Sequence, residues 1–482
     1  MISGEQRQTP LYTALRRHVR KGCAHLHVPA HRQGEALPSS LKGEDFFRLD
    51  LTELPGLDDL HSPGGPIARA QELAAKLYGA KATFFLVNGT TAGVTALFLA
   101  VCRPGQKIVV TRDAHRSALA GLILSGADPV FVVPPLLPAF GIPAAVRPED
   151  LSGALCRYPE VRGVFVTYPS YYGIAADLRA LVDVAHLHGK PFLVDEAHGA
   201  HLPFHPGFPP EALACGADAA VMSVHKTGGS LTQSSFLHLR AGGLSERRVA
   251  AALSLLQTSS PSYLLLASLD LARRQLAVKG FELLERALAL ARRTRAALKD
   301  VPGLALPGEE EVAAGVRFDP TRITIGVWGL GLSGYRVASL LAEKYKVNCE
   351  LRDYGNIVAV VGIGTREEDC SRLVFGLKEI SCREGGRRRP LPVLPGPGPL
   401  PPKRMTPREA WFAPAQKVPL ASARGLVCAE WAAASPPGMP LVYPGEEITP
   451  EIIEYLQFLQ KSGVTVVGPA DRTLATVRVV AR

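Results

Sequence analysis

Short apolar segments alternate with amphipathic segments over residues 41–300, and this alternation predicts the main structure of the chain. Alternating strand and helix patterns produce a parallel sheet. We therefore predict an α/β fold whose large domain holds a mainly parallel sheet. The segments that have the length and hydrophobicity of buried strands are Phe84–Val87, Lys107–Val110, Pro191–Val194 and Ala219–Met222.

Changes in composition divide the rest of the chain. Residues 385–402 are rich in proline, glycine and arginine, which is typical of a semi-rigid linker. The capping box Thr406–Glu409 and the pair Thr449–Pro450 predict two helices after it. The predicted regions are an N-terminal arm (1–40), a large domain (41–300), a smaller α/β domain (301–384), the linker (385–402) and a C-terminal α+β domain (403–482).

Composition and charge argue against several classes of protein. The 482 residues, 47% of them hydrophobic, suffice for a large core. No apolar run reaches membrane-spanning length and the first residues lack a hydrophobic signal region, so we expect a cytoplasmic protein with no membrane partner. The eight cysteines lack paired spacing, as in a reducing compartment. The net charge of +10 is spread over helices without interleaved aromatics, which argues against nucleic-acid binding.

One lysine lies in a setting that suits an aldehyde cofactor. The run Ser223–Ser235 follows a predicted buried strand and surrounds Lys226 with small hydroxyl and glycine residues. Such a lysine can form a Schiff base with pyridoxal phosphate (PLP), and Ser223 and His225 could hydrogen-bond the phosphate. The alternative for this run alone is a surface lysine in a polar loop.

A carboxylate follows another predicted strand. Asp195 comes directly after Pro191–Val194, and ligands of open α/β sheets bind at the carboxyl ends of strands. There it could keep the nitrogen of a pyridine ring protonated, although a helix N-cap is the alternative. His198 and His201 have a spacing that metal ligands use, but no third ligand with zinc-like spacing accompanies them, so we predict no metal.

Two further turns complete the candidate site. Asn88–Gly93 joins a strand to an apolar helix, where free backbone N–H groups and the helix dipole favour a phosphate. We predict Gly89, Thr90 and Thr91 as the phosphate cradle. After the next strand, His115 could lie flat on a cofactor ring.

Several segments, taken in order, resemble the Orn/Lys/Arg decarboxylase family of fold-type-I PLP enzymes through nearly the whole sequence. The matching segments are Asp50–His61, Tyr168–Gly173, Ser223–Ser235, Leu256–Tyr263, Pro436–Pro440 and Pro444–Glu446. The chain departs from the family pattern at Pro29–Arg32, Pro63–Gly65 and Ser435. None of these positions belongs to the predicted cofactor site, so the departures bear on which substrate is bound more than on the reaction.

The resemblance implies roles for the candidate residues. Lys226 would be the Schiff-base lysine, Asp195 would meet the ring nitrogen and His115 would stack on the ring. The predicted catalytic residues are Lys226, Asp195, His115 and His198. The predicted cofactor-binding residues are these four together with Gly89, Thr90, Thr91, Ser223, His225, Ser259 and Ser260.

The resemblance also implies a homodimer, or a higher homo-oligomer, with active sites at the subunit interface. Ser259 or Ser260 would then reach the neighbouring subunit's phosphate. The segment Gln257–Tyr263 is polar yet lies between two helical stretches, which is consistent with a ligand or a partner there. An ordinary helix N-cap at Ser260 or Ser262 is the alternative.

The activity that follows is PLP-dependent decarboxylation of a basic L-amino acid. We expect arginine as the substrate, in polyamine biosynthesis, with lysine or ornithine as alternatives. A cationic substrate of a positively charged protein requires a local acidic pocket. The acidic candidates include Glu53, Asp58 and Asp59, and those predicted to bind the substrate are Glu350, Asp353, Glu430 and Glu446.

Two alternatives belong to other functional classes. Gly329–Gly334 matches the G-x-G-x-x-G dinucleotide motif between a predicted strand, Ile323–Val327, and a helix, with Glu350 ending the next strand. This pattern would suit NAD, although the segment is short for a nucleotide-binding domain. The second alternative is an inactive scaffold, because a fold does not determine a function.

Overall fold

The structure is a computed structural model that describes residues 4–41, 43–384, 391, 398–434 and 439–481. Most of the predicted linker, residues 385–402, lies outside the described residues, as do Ser435 and Pro436–Gly438 of the matching segments. The helices of the described chain are α1 (Pro10–Arg20), α2 (Pro66–Leu77), α3 (Gly89–Val101), α4 (Arg116–Ser125), α5 (Pro148–Arg157), α6 (Leu178–Leu187), α7 (Val224–Thr227), α8 (Glu246–Leu256), α9 (Tyr263–Lys299), α10 (Gly334–Tyr345), α11 (Glu367–Glu384), α12 (Pro407–Phe412) and α13 (Pro450–Lys461).

The strands vary from two to five residues in length. They are β1 (Ala82–Leu86), β2 (Lys107–Thr111), β3 (Asp128–Val132), β4 (Leu136–Leu137), β5 (Ile142–Pro143), β6 (Val164–Thr167), β7 (Ile174–Ala175), β8 (Phe192–Asp195), β9 (Ala219–Met222), β10 (Ser235–Leu239), β11 (Arg317–Phe318), β12 (Arg322–Gly326), β13 (Leu351–Arg352), β14 (Asn356–Val360), β15 (Ala415–Pro419), β16 (Ala432–Ala434), β17 (Pro440–Val442), β18 (Val466–Val467) and β19 (Thr476–Val480).

The chain forms two compact units, and the first consists of Met1–Ala100, Leu193–Pro206 and Pro210–Leu284. Its strands lie in the order β1-β10-β9-β8. β8 and β9 are parallel, whereas β10 is antiparallel to both β9 and β1. The connection from β9 to β10 contains only the one-turn helix α7, and a parallel return would need a longer crossover.

The predicted N-terminal arm contributes to the core of the first unit. Leu11 and Leu15 of α1 are fully buried and pack with apolar residues of α2, β1 and α9. The carboxylate of Asp270 accepts hydrogen bonds from the backbone N–H groups of Leu11 and Tyr12, at 3.0 and 3.3 Å, and so caps the start of α1. Arg273 donates to the same carboxylate at 2.8 Å.

The second unit consists of Val101–Phe192, Gly207–Pro209 and Glu285–Arg482. Its parallel strands lie in the order β6-β2-β3, and a separate antiparallel sheet has the order β12-β14-β13. α10 and α11 pack on this second sheet around a core of aliphatic side chains. The C-terminal part has its own core beneath α13, with the strand orders β17-β16-β18 and β15-β19.

Most of the predicted elements are confirmed. β1, β2, β8 and β9 lie at the predicted strand segments within two residues. The Thr406 capping box begins α12, and Thr449 caps α13, which ends just before Gly463. None of the helices in the described ranges is long and apolar enough to span a membrane.

The glycine motif at 329–334 lies in a context that differs from a dinucleotide-binding unit. The strand before it, β12, pairs antiparallel with β14, whereas the motif requires a parallel βαβ unit. A Cβ at Gly334 would lie 2.1 Å from the backbone oxygen of Asn356, so this glycine permits close packing of α10. Glu350 precedes β13 and does not end a strand, which corrects the predicted position.

Candidate active site

Lys226 lies on α7, directly after the buried strand β9. Its Nζ is 3.2 Å from Nε2 of His198, a buried residue three positions after the end of β8. The first unit therefore brings together two predicted catalytic side chains that are 28 residues apart in the sequence. An imidazole at this distance can accept a proton from the amine or return one to it.

Asp195 is the last residue of β8 and is only 3% exposed. One carboxylate oxygen accepts a hydrogen bond of 3.2 Å from the backbone N–H of Ala197. Burial raises the pKa of the Asp195 carboxyl to about 6, while the positive charge of Lys226 and the Ala197 N–H act in the opposite direction. The carboxylate is thus a buried negative charge that a nearby cation would stabilise.

Three hydroxyl groups meet where α3 begins. The Oγ1 of Thr90 hydrogen-bonds the Oγ of Ser223 and lies 3.0 Å from the Oγ of Ser235. All three residues are buried. Gly89 begins the helix with a φ of +73°, a left-handed conformation that side-chain-bearing residues rarely adopt. We call Gly89, Thr90, Ser223 and Ser235 the hydroxyl cradle.

Ser235 was missed by the sequence analysis. It is the first residue of β10, twelve positions beyond Ser223, and no local motif relates it to Thr90. Its inclusion depends on β10 returning beside β9. Thr91, which the sequence analysis did assign to the cradle, is exposed at the start of α3.

The two other predicted histidines have defined partners. His225 is half-buried, and its Nδ1 lies 2.9 Å from the backbone oxygen of Ser234, so Nδ1 carries the proton. His115 belongs to the second unit, where it caps α4: its Nδ1 accepts a hydrogen bond of 3.2 Å from the N–H of Ser117. The Nδ1 of His115 is therefore unprotonated, which leaves the proton of a neutral ring on Nε2.

Ser259 and Ser260 are exposed on the segment between α8 and α9. The side chain of Ser262 accepts a hydrogen bond from the N–H of Leu265, so Ser262 takes the capping position of α9. The alternative expectation for this segment, an ordinary helix N-cap at Ser260 or Ser262, is thus confirmed at Ser262. The contact of Ser259 or Ser260 with a neighbouring subunit stays a prediction.

Two predicted substrate carboxylates are occupied by the chain itself. Both oxygens of Glu446 accept hydrogen bonds of 2.8 Å from the guanidinium of Arg112, and one also accepts from the N–H of Tyr443. Glu430 is buried and accepts from the N–H groups of Arg478 and Ala470, each at 2.8 Å. The Glu430 contacts lie within the C-terminal part, whereas the Glu446–Arg112 pair joins that part to the residue that follows β2.

Asp353 is also saturated with internal donors. Tyr172 donates to it at 2.8 Å, and the backbone N–H groups of Gly355 and Asn356 donate at 2.8 and 2.7 Å. Burial raises the pKa of Asp353, and these hydrogen bonds lower it. Glu350 differs from the other three because it is exposed.

Of the remaining acidic candidates, Asp58 has a structural contact that the sequence did not indicate. Its carboxylate accepts from the backbone N–H groups of Gly64 and Gly65 at 2.9 and 2.8 Å, and from Ile67 at 2.9 Å. It therefore caps α2. Glu53 and Asp59 are exposed.

Two models of one protein family match most of the chain. A model described as Orn/Lys/Arg decarboxylase, major domain, matches residues 9–369, and one for the C-terminal domain of the same family matches residues 398–470. An arginine decarboxylase of Bacillus subtilis (strain 168) is 41% identical, with 98% of each chain covered. An arginine decarboxylase of Bacillus anthracis is 38% identical with the same coverage.

Solved structures agree on the fold. A lysine decarboxylase of Francisella novicida, LdcF, superposes with a TM-score of 0.87 at 18% identity, covering 99% of this chain and 82% of that one. Lysine decarboxylase A of Pseudomonas aeruginosa gives a TM-score of 0.85 at 21% identity, with 99% and 81% coverage. This likeness confirms the predicted fold class.

Proposed function

Because the chain belongs to the Orn/Lys/Arg decarboxylase family, we propose that it removes the α-carboxyl group of arginine as CO2 and produces agmatine, in polyamine biosynthesis. Support comes from four relatives named arginine decarboxylase that are 37–41% identical to it. Two relatives named lysine decarboxylase are 24–25% identical. Lysine and ornithine are the alternative substrates.

The observation that carries this proposal is the placement of Lys226 and Asp195. β8 and β9 are parallel neighbours, so Asp195 at the end of one and Lys226 just after the other lie at the same edge of the sheet. Their charges are close enough for Lys226 to lower the pKa of Asp195. An amine and a buried carboxylate in this arrangement suit an aldehyde cofactor with a basic ring nitrogen.

The residues of the first unit fit PLP at both ends of that molecule. The hydroxyl cradle and the N-terminal backbone of α3 supply neutral donors, which suit a phosphate dianion. Asp195 is a buried carboxylate, which would favour a protonated pyridine nitrogen. Lys226 would hold the cofactor through Nζ. When bound, PLP supplies the electron sink for the bonding pair that is left when CO2 departs.

The chain's own side chains would handle the protons. His198, at 3.2 Å from Nζ of Lys226, would accept a proton from that amine as the substrate amine arrives. Asp195 would keep the proton at the ring nitrogen while negative charge develops. We propose that Lys226 or a histidine returns a proton to the substrate α-carbon. Family resemblance also assigns His115 to the cofactor ring.

Among the four carboxylates first assigned to the substrate, Glu350 is our remaining candidate for the guanidinium of arginine. Glu446, Glu430 and Asp353 are held by internal hydrogen bonds, so using them would require breaking buried contacts. The carboxylate of Glu350 is exposed and needs no such rearrangement.

The purified protein should convert arginine to agmatine and release an equimolar amount of CO2, because the relatives that match it over their full length are named arginine decarboxylase. The measurement is mass detection of the amine formed from arginine, lysine and ornithine at equal concentrations, each with added PLP. A higher kcat/KM for lysine or ornithine would assign the alternative substrate. Failure with all three amino acids by a protein that binds PLP would favour the scaffold alternative.

We also propose a homodimer in which the exposed serines of one subunit reach the cofactor phosphate of its partner. Ser259 and Ser260 are exposed, and the cap of α9 is supplied by Ser262. The cytoplasmic location, expected from the scattered cysteines, stays a prediction.

Mixing two inactive variants tests the shared site. Lys226→Ala and the double variant Ser259→Ala/Ser260→Ala should each be impaired. The heterodimer should regain up to about half of the wild-type activity per dimer, because one of its two sites has both parts intact. The measurement is decarboxylation after subunit exchange, followed with two affinity tags. Exchange without recovery would show that each site is formed by one subunit.

A further inference from the structure

The side chain of Gln257 hydrogen-bonds the edge of β1 where the hydroxyl cradle begins. In the first unit β1 is the terminal strand of the order β1-β10-β9-β8. On the edge opposite β10, Nε2 of Gln257 donates to the backbone oxygen of Phe85 at 3.3 Å, and Oε1 accepts from the N–H of Val87 at 2.8 Å. A primary amide has the donor and acceptor of a peptide group, so it substitutes for one residue of a neighbouring strand.

These contacts are shielded from water. Gln257 is 8% exposed and Val87 is 2% exposed. If the amide were replaced by an apolar group, the N–H of Val87 would be buried without an acceptor, which is more costly than the loss of an exposed hydrogen bond. The end of β1 would then shift toward water or another acceptor.

A second contact links the same two segments. The side-chain oxygen of Asn88 accepts a hydrogen bond of 3.1 Å from the backbone N–H of Thr258. Val87 and Asn88 are therefore both tied to Gln257 and Thr258, and the next two residues are Gly89 and Thr90 of the hydroxyl cradle. A displacement of Val87 would move the first N–H groups of α3 and the Thr90 hydroxyl with it.

We infer that Gln257 is a positioning residue for the phosphate of the cofactor. Its side-chain amide bonds the backbone of Phe85 and Val87, and it acts on the cradle through that backbone. The inference rests on the proposed binding of PLP. It predicts a selective effect: the loss of Gln257 should weaken the binding of the phosphate group and leave the aldehyde chemistry at Lys226 unchanged.

The test compares PLP with pyridoxal, which has the same aldehyde and ring and no phosphate. Apoprotein is titrated with each compound, and binding is followed by visible absorbance. For Gln257→Leu, the affinity for PLP should fall about tenfold or more, because the displaced N–H groups of α3 and the Thr90 hydroxyl would no longer fit the phosphate. The affinity for pyridoxal should stay within about twofold of wild type, because a displaced cradle affects only the phosphate.

Gln6→Leu is the matched control. Gln6 is also 8% exposed and lies in the same unit. Its side chain hydrogen-bonds the backbone oxygen of Leu73 on α2, which is not part of the strand that leads into the cradle. The Gln6→Leu variant should lose about as much thermal stability as Gln257→Leu, and it should keep the wild-type preference for PLP over pyridoxal. Asn88→Ala, which removes only the contact with Thr258, should show a smaller selective loss and decides the matter if Gln257→Leu does not fold.

The outcomes separate this inference from the proposed function. If the wild-type protein binds neither PLP nor pyridoxal at Lys226, the proposed function and the positioning role of Gln257 are both rejected. If wild type prefers PLP, and Gln257→Leu and Asn88→Ala keep that preference or weaken both compounds equally, the proposed function stands and the positioning role of Gln257 is rejected.

Discussion

Lys226→Ala is expected to reduce decarboxylation by roughly a thousandfold or more, because the amine is the attachment point for the cofactor and a proton carrier at the reacting atoms. Lys226 lies on the helix that follows β9, and its Nζ is 3.2 Å from Nε2 of His198. The measurement is kcat with saturating arginine and PLP. Borohydride treatment of the wild-type protein, followed by peptide mapping, should place the reduced cofactor on Lys226.

Lys279→Ala is the control for this prediction. Lys279 is an exposed residue of α9 in the same unit, and its replacement removes the same charge from the surface. It should leave kcat unchanged. Reduced cofactor found on a different lysine, or a Lys226→Ala variant with near-normal turnover, would contradict the assignment of the site.

Asp195→Asn is expected to retain the cofactor and to lower kcat by about a hundredfold or more, since a neutral amide cannot hold the proton at the ring nitrogen while charge develops. The amide has the shape of the carboxyl group and can still accept the Ala197 hydrogen bond. The measurements are kcat and the dissociation constant for PLP. Wild-type turnover in this variant would show that another carboxylate holds the proton at the ring nitrogen.

Although Asp195→Asn should lower kcat, it should raise the free energy of unfolding of the cofactor-free protein. The folded-state pKa of Asp195 is about 6, against 3.8 for an exposed aspartate, so the folded state binds the proton more tightly. Proton binding by Asp195 therefore contributes to the free energy of unfolding below pH 4, and this contribution is lost as the pH rises from about 4 to about 6. The difference of the two pKa values corresponds to about 3 kcal/mol.

The free energy of unfolding of cofactor-free Asp195→Asn should thus exceed that of wild type by about 2–3 kcal/mol above pH 6, and the difference should disappear toward pH 4. Urea unfolding of both apoproteins across this range measures it. A difference that does not change with pH would mean that Asp195 is solvated or paired in the cofactor-free protein.

The local features of the site could be predicted from the sequence. A buried strand followed by a polar turn has a short-range signature, and so β8 with Asp195 and β9 with Lys226 were predicted near their observed ends. The caps at Thr406 and Thr449 depend on residues within one helical turn, and both were confirmed. The order of motifs along the chain was enough to indicate the family.

The use of each carboxylate was decided by tertiary structure alone. Glu446 and Arg112 are 334 residues apart, and nothing near either residue indicates the other. Whether an acidic side chain faces a substrate, caps a helix as Asp58 does or neutralises a buried cation depends on which distant segments pack against it. Sequence patterns report the nearest few residues, whereas burial and pairing are set by contacts between strands and helices that are distant in the chain. Ser235 in the cradle and the antiparallel direction of β10 were decided in the same way.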